Sequence, residues 1–253
     1  MPGLRFVIVD VFTDRPFAGN QLAVFTDARE VDAGTMQDLA REIGFSETTF
    51  VLPPEQGGTV RARIFNPHHE MPFAGHPVLG TAFVLAGPLQ LGKVTLETGA
   101  GLVDVTLDRD DSGRIVFGRM RQPVPTVGAF ADAEALLETL GVSRSLVPIE
   151  VHDNGATHVF VVLDSEDEVA ALAPAVEQVA AFGLTGVNCV AGSGRHWKTR
   201  MFWEHGEDAA TGSAAGPLAC HLCRHGLVEW GTEIEISQGA EIGRPSTLFA
   251  RAE

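Results

Sequence analysis

RIFNPHHEMPFAGHPVLGTAFVL, Arg63 to Leu85, is written a second time in this chain as RMFWEHGEDAATGSAAGPLACHL, Arg200 to Leu222. Laid over each other without a gap, the two agree at Arg63/Arg200, Phe65/Phe202, His68/His205, Glu70/Glu207, Gly75/Gly212, Ala82/Ala219 and Leu85/Leu222. A self-match at so long a separation indicates a duplicated domain, not a short stacked repeat. Each copy reads as a strand (Arg63 to Asn66, Thr199 to Trp203), a polar loop ending at a glycine, and an apolar helix of small residues, Gly75 to Ala86 and Gly212 to Arg224. The first turn of a helix leaves backbone N–H groups unpaired at the positive end of the helix dipole. A glycine there lets a ligand approach the backbone. Each copy therefore offers an anion site, with a polar residue, His76 or Ser213, beside the glycine.

The chain has 253 residues and a formal charge of −15. That length suits two medium domains. The charge is a poor match to nucleic acid or anionic lipid, so neither is expected as a partner. A small carboxylate remains possible, because a helix N-terminus can hold one locally. The three cysteines, Cys189, Cys220 and Cys223, are an odd, sparse set and suggest a reducing compartment, not a disulfide framework. Cys220 and Cys223 fall in the second helix and read as core. The opening MPGLRFVIVDVF reads as a first strand, not a signal peptide, and no apolar run approaches a membrane span. The expected setting is cytoplasmic.

Outward from the repeat, Leu4 to Phe12 and Gln21 to Phe25 read as an early pair of strands. Asp32 caps a helix over Ala33 to Ile43 that Gly44 ends. Thr59 to Asn66, Lys93 to Glu97, Gly101 to Leu107 and Arg114 to Met120 continue the first half. Gln122 to Thr126, QPVPT, is the expected boundary, giving domains over 1–122 and 127–253. The second half repeats the rhythm: a helix ending at Gly141, strands at Val147 to Val151 and His158 to Leu163 around an Asn154-Gly155 turn, a helix within Ala173 to Ala181, and strands at Val187 to Val190 and Glu233 to Ser237. A last strand starts near Pro245.

Glu47 is the acid that stands out. It lies between Phe45 and Phe50, at a helix-to-strand junction. Facing an apolar cleft, its carboxyl would be raised into the range of a general acid and base; at a sheet edge it would only face water. The equivalent position in the second half, with TGVNCVA laid on SETTFVL, is Gly186. Any site has one proton-transfer acid, not a symmetric pair.

The stretches GFSETTFV, NPHHEMPFAGHPVLGTA, His152 to Val161, GEDAATGSAAGPLA and EIGRPS, in this order, resemble the phenazine-biosynthesis isomerase family of PhzF type. The resemblance covers nearly the whole chain. It implies an α+β fold of diaminopimelate epimerase-like type: two pseudo-symmetric domains, each a mixed, mostly antiparallel sheet wrapped round a central helix, with the active site in the cleft between them. It implies isomerisation of trans-2,3-dihydro-3-hydroxyanthranilate to its ketone isomer, without cofactor or metal, by a homodimer. It places the acid/base on Glu47, with His76 and Asp208 as further catalytic residues, and puts Ser46, Gly75, Gly212 and Ser213 at the substrate. The family's loop is longer than Trp203 to Glu207 here, and the family carries a further C-terminal strand after the position of Glu253.

Three other readings compete. An amino-acid epimerase of this fold would place a cysteine in each glycine loop, and neither Phe73 to Pro77 nor Asp208 to Ser213 holds one. A non-catalytic binding protein would not need Glu47, His76, Asp208 and Ser213 together. A metal hydrolase built from His68, His69, Glu70, His205, Glu207 and Asp208 lacks the helical HExxH spacing. Glu70 and Glu207, repeated along with Arg63 and Arg200, are expected to form an ion pair in each half.

Overall fold

The computed structural model describes residues 3–253. In chain order its elements are β1 (Phe6–Val11), β2 (Asn20–Phe25), α1 (Ala33–Ile43), β3 (Glu47–Leu52), β4 (Val60–Phe65), β5 (Glu70–Met71), α2 (Gly75–Leu89), β6 (Lys93–Thr98), β7 (Gly101–Arg109) and β8 (Ile115–Met120). They continue with β9 (Thr126–Ala129), α3 (Ala133–Leu140), β10 (Glu150–Asp153), β11 (Thr157–Val162), α4 (Glu166–Ala171), α5 (Val176–Ala180), β12 (Gly186–Ser193), β13 (His196–Trp203), β14 (Gly206–Asp208), α6 (Gly212–Arg224), β15 (Ile234–Gln238) and β16 (Ser246–Ala250).

Two sheets result. One runs β1-β2-β3-β4-β6-β7-β8, with β5 on β4; the other runs β16-β15-β13-β12-β11-β10-β9, with β14 on β13. Read in opposite directions, they are the same sheet. β2/β3 and β11/β12 are parallel, as are β4/β6 and β13/β15; β3/β4, β12/β13, β6/β7 and β15/β16 are antiparallel. The duplication legible in two motifs thus extends to the whole strand order. β8 and β9 are the strands without a counterpart.

The chain divides into two compact units, one running up to Val11 and resuming over Gln21–Gln122, the other made of Phe12–Asn20 and Pro123–Glu253. The segment 12–20, assigned from sequence to the first half, joins the second. Its backbone is tied there by Gly19 N–H to Pro245 C=O at 3.0 Å, Thr247 N–H to Phe12 C=O at 2.9 Å, and the Arg244 guanidinium on the carbonyls of Ala18 and Gly19 at 2.9 Å each.

In the first unit α2 is the centre. It packs against β1 and β8, the two ends of the sheet path, and against β3, β6 and β7 between them, so the sheet curls round the helix. Gly75 to Ala82 are all buried, which is why this helix is apolar on every side. Gly80 lets it sit close: a Cβ there would stand 2.7 Å from Leu22 and 2.8 Å from Val11. On the far face, α1 covers a stack of Phe25, Phe50 and Phe65. Its ends are as expected: the Asp32 carboxylate accepts from Thr35 N–H at 3.0 Å, and Gly44 closes it at φ 70°.

The second unit has three layers. β11 and β12 are buried on both faces, so they read as continuous apolar runs. Phe160, Val162 and Val190 face a core with α6, Ile234, Ile236 and Leu248; Val159, Val161, Val187 and Cys189 face a core with α3, α4 and α5. Cys223 packs in the α6 core as expected, and all three cysteines are free thiols. Burial pushes the Cys189 thiol up to about 12. Among the described residues, no helix is long and apolar enough to cross a membrane.

Candidate active site

In the first unit the structure brings Glu47 and His76 together. Glu47 is the first residue of β3, and its period-two direction is that of the α2 face. It is buried, 9% exposed, so the water-facing alternative is excluded. Its Oε2 lies 3.3 Å from His76 Nε2. His76 is the second residue of α2, after Gly75, and Pro77 follows at a first-turn position where its missing N–H costs nothing. Ala74, the capping residue, makes no side-chain cap. Ser46, half-buried, precedes Glu47 directly.

Burial holds the His76 imidazole down at about 3, against a hydrogen bond to the Gln21 backbone that favours the charged ring. The imidazole is therefore neutral at physiological pH. A bond of that sign is one the ring donates, and Nε2 makes no hydrogen bond, so the donor is Nδ1. Nε2 then presents a lone pair to the Glu47 carboxyl.

In the second unit Asp208 ends β14, just before α6. Its Oδ1 accepts from the Asn20 amide at 2.8 Å and its Oδ2 from the Thr211 hydroxyl at 2.7 Å. Gln238 locks the turn, donating to Asp208 C=O and to Thr211 Oγ1 at 2.9 Å each, while its Oε1 accepts from Thr211 N–H at 3.1 Å. Burial pushes the Asp208 carboxyl above the ordinary aspartate range, against these donors and the backbone N–H groups of Ala209 and Ala210. Gly212 and Ser213 are the first two residues of α6, and Thr211 makes no side-chain cap on its helix. Ser213 thus holds in α6 the place that His76 holds in α2. Its hydroxyl lies 3.0 Å from His158 Nε2, and its carbonyl accepts from the Asn154 amide at 3.0 Å.

Both expected ion pairs form, and both are bidentate. Arg63 meets Glu70 at 2.7 and 2.6 Å, and Arg200 meets Glu207 at 3.0 and 2.6 Å. Each guanidinium also lies over the aromatic ring two residues on, Phe65 at 5.1 Å and Phe202 at 4.9 Å. These contacts occupy the two glutamates that a metal hydrolase would need, and His68 and His69 are exposed. Among the described residues the one grouping spaced to hold a metal is elsewhere: Glu150, His152 and His221. Its carboxylate is already engaged by Arg224 at 3.1 Å and His225 at 3.0 Å.

A family model described as phenazine biosynthesis-like protein matches residues 9–253. The chain belongs to the phenazine biosynthesis-like protein family. Among its relatives in that family, the trans-2,3-dihydro-3-hydroxyanthranilate isomerase of Pseudomonas aeruginosa is 49% identical over 98% of this chain and 90% of its own. That of Pseudomonas fluorescens is 48% identical over the same shares. A phenazine biosynthesis protein of the PhzF family from Bacillus anthracis has a solved structure with a TM-score of 0.84 at 25% identity, covering 97% of this chain and 89% of that one. A probable proline racemase from Agrobacterium radiobacter, 13% identical, shares the fold with a TM-score of 0.62 over 91% of this chain and 81% of that one. The two-sheet α+β fold of this phenazine biosynthesis-like protein is thus shared with racemases.

Sequence reasoning missed the polar residues that surround the expected ones: Asn20, Asn154, His158, Asn188 and Gln238. They arrive from strands and turns far away in sequence. His158 had one signal. It shares the period-two face of Phe160 and Val162, so it points a polar ring into the core beneath α6.

Proposed function

We propose that this chain is a cofactor-independent isomerase that converts trans-2,3-dihydro-3-hydroxyanthranilate to its ketone isomer. The near-full-length likeness to enzymes named for that reaction supports the substrate. The observation that carries the chemistry is the buried Glu47–His76 pair. Glu47 takes the proton from C3 of the ring, the diene rearranges, and the same carboxyl returns a proton to the ring; the enol then relaxes to the ketone. One group suffices, because the proton leaves and returns on one face. His76, neutral throughout, orients that carboxyl and accepts its hydrogen bond while the carboxyl carries the proton. The substrate carboxylate is held at the start of α6 by Gly212 and Ser213, its amino group by Asp208, and Ser46 and Gly75 border the ring. The enzyme works in the cytoplasm and as a homodimer, the latter as the family resemblance implies, and sedimentation of the purified chain tests the dimer.

Proton NMR in D₂O, wild type beside Glu47→Gln, tests the reaction. Wild type consumes the substrate's ring signals and deuterium enters the product ring. Glu47→Gln slows this by about 10²–10⁴-fold, the usual contribution of a positioned acid/base. Unchanged substrate with folded wild type removes the activity; equal turnover in both proteins removes Glu47 from its role. Full activity after exhaustive treatment with a strong chelator is the expected control.

A further inference from the structure

The pseudo-symmetry makes a specific comparison possible. Glu47 opens β3 and is the register partner of Leu22 on parallel β2. Gly186 opens β12 and is the register partner of His158 on parallel β11. In the first unit the strand residue Glu47 reaches the second residue of the central helix, His76. In the second unit the partner strand does so: His158 reaches Ser213. Gly186 is what makes the room. A Cβ there would stand 3.1 Å from His158 Nδ1 and 2.8 Å from Met201 Sδ.

The polarity of this contact can be read from its neighbours. Asn188 Nδ2 lies 3.2 Å from the carbonyl of Val159 and 3.4 Å from that of Gly186, so its amide presents N–H groups on this side. The same Nδ2 is 3.4 Å from His158 Nδ1. A hydrogen on Nδ1 would point at another donor. Nδ1 is therefore the lone pair, and the ring's single hydrogen sits on Nε2, aimed at Ser213 Oγ. The ring is fully buried, and that burial holds it neutral, with its pKa down at about 4. With Oγ accepting from the imidazole, the hydroxyl hydrogen of Ser213 is left to donate elsewhere.

We propose that His158 is a positioning residue which, through the chain Asn188–His158–Ser213, makes the Ser213 hydroxyl an obligate donor to the substrate carboxylate at the start of α6. The role of Ser213 rests on the function proposed above; the tautomer of His158 does not. The first half of the duplication keeps a histidine whose Nε2 accepts, beside the acid that moves the proton. The second half keeps one whose Nε2 donates, so that its helix can grip an anion.

Two measurements test this. A long-range proton–nitrogen correlation spectrum of histidine-labelled wild type reads the tautomer directly. The expected form of His158 carries its hydrogen on Nε2; a hydrogen on Nδ1 overturns the proposal whatever the enzyme turns over. Kinetics then compare the isosteric pair His158→Gln, which keeps a donor, and His158→Met, which does not. His158→Met is expected to raise KM by about tenfold, the scale of one charge-assisted hydrogen bond, with a much smaller change in kcat. His158→Gln recovers most of that loss. Adding His158→Met to Ser213→Ala changes nothing further, because the donor being oriented is gone. Equal losses from His158→Met with and without Ser213 would show that it acts on packing and not on the hydroxyl. Should wild type leave the substrate unchanged, the isomerase assignment fails, and titration of the same variants with anthranilate still reads the carboxylate grip.

Discussion

At the scale of single residues, the site's acids and imidazoles are tuned by what surrounds them. His76 and His158 are both buried and both neutral, yet their hydrogens sit on opposite nitrogens, because one ring is held by a backbone carbonyl and the other faces an amide. Asp208 makes a prediction about stability. Its folded carboxyl titrates above its ordinary value of 3.8, so the folded chain binds more protons than the unfolded one between those two values. Its contribution is therefore fullest below the unfolded value and is lost as pH rises through the folded one. Urea denaturation of wild type and Asp208→Asn across pH should show the variant gaining on wild type as pH rises over that window, with isomerase activity lost. A constant difference across pH would mean that Asp208 is not strained by its burial.

At the scale of elements, the duplication has kept local geometry while varying its surroundings. The Arg63–Glu70 pair leaves 19% and 42% of its side chains exposed, whereas Arg200–Glu207 leaves 9% and 8%. Arg200 also donates to the carbonyls of Ala170 and Leu172 at the end of α4, at 3.0 and 2.5 Å. Breaking the second pair strands a buried carboxylate, so Arg200→Met should cost about 3–5 kcal/mol in urea denaturation. Arg63→Met, at the more solvated pair, should cost under about 1 kcal/mol. Elements such as α1 were legible because their signals are local: an acidic cap, an apolar stripe and a terminal glycine. β5 and β14 were not, since two or three residues carry no period. They exist because β4 and β13 offer them an edge, and the ion pairs fasten them there. α4 was also missed; its start rests on the Ser165 cap, inside a run of acids that reads as loop. In the site, Glu47 was legible as an acid in an apolar context. His158 offered only its polar place on a core-facing strand position, because what gives it meaning is a glycine, Gly186, on the next strand.

At the scale of the whole molecule, the repeat read from two motifs proved to organise both sheets, while the boundary it suggested was too simple. Residues 12–20 are part of the second unit, and they bring Asn20 to Asp208. A fragment starting at Pro123 therefore lacks a piece of its own fold and a hydrogen-bond partner of Asp208. Fusing residues 12–20 to that fragment should raise its urea midpoint. If the fragment is equally stable with and without them, the segment is only draped on the unit.

That excursion has a consequence for how the chain can be cut. The backbone passes between the units at three places: after Val11, after Asn20 and after Gln122. A single protease nick in QPVPT severs just one of these. The amino-terminal piece would still carry the 12–20 strap, hydrogen-bonded to the carboxy-terminal piece, so the two products should migrate together until denatured. A gene split at the same point should likewise yield two chains that find each other, with the strap as their handle.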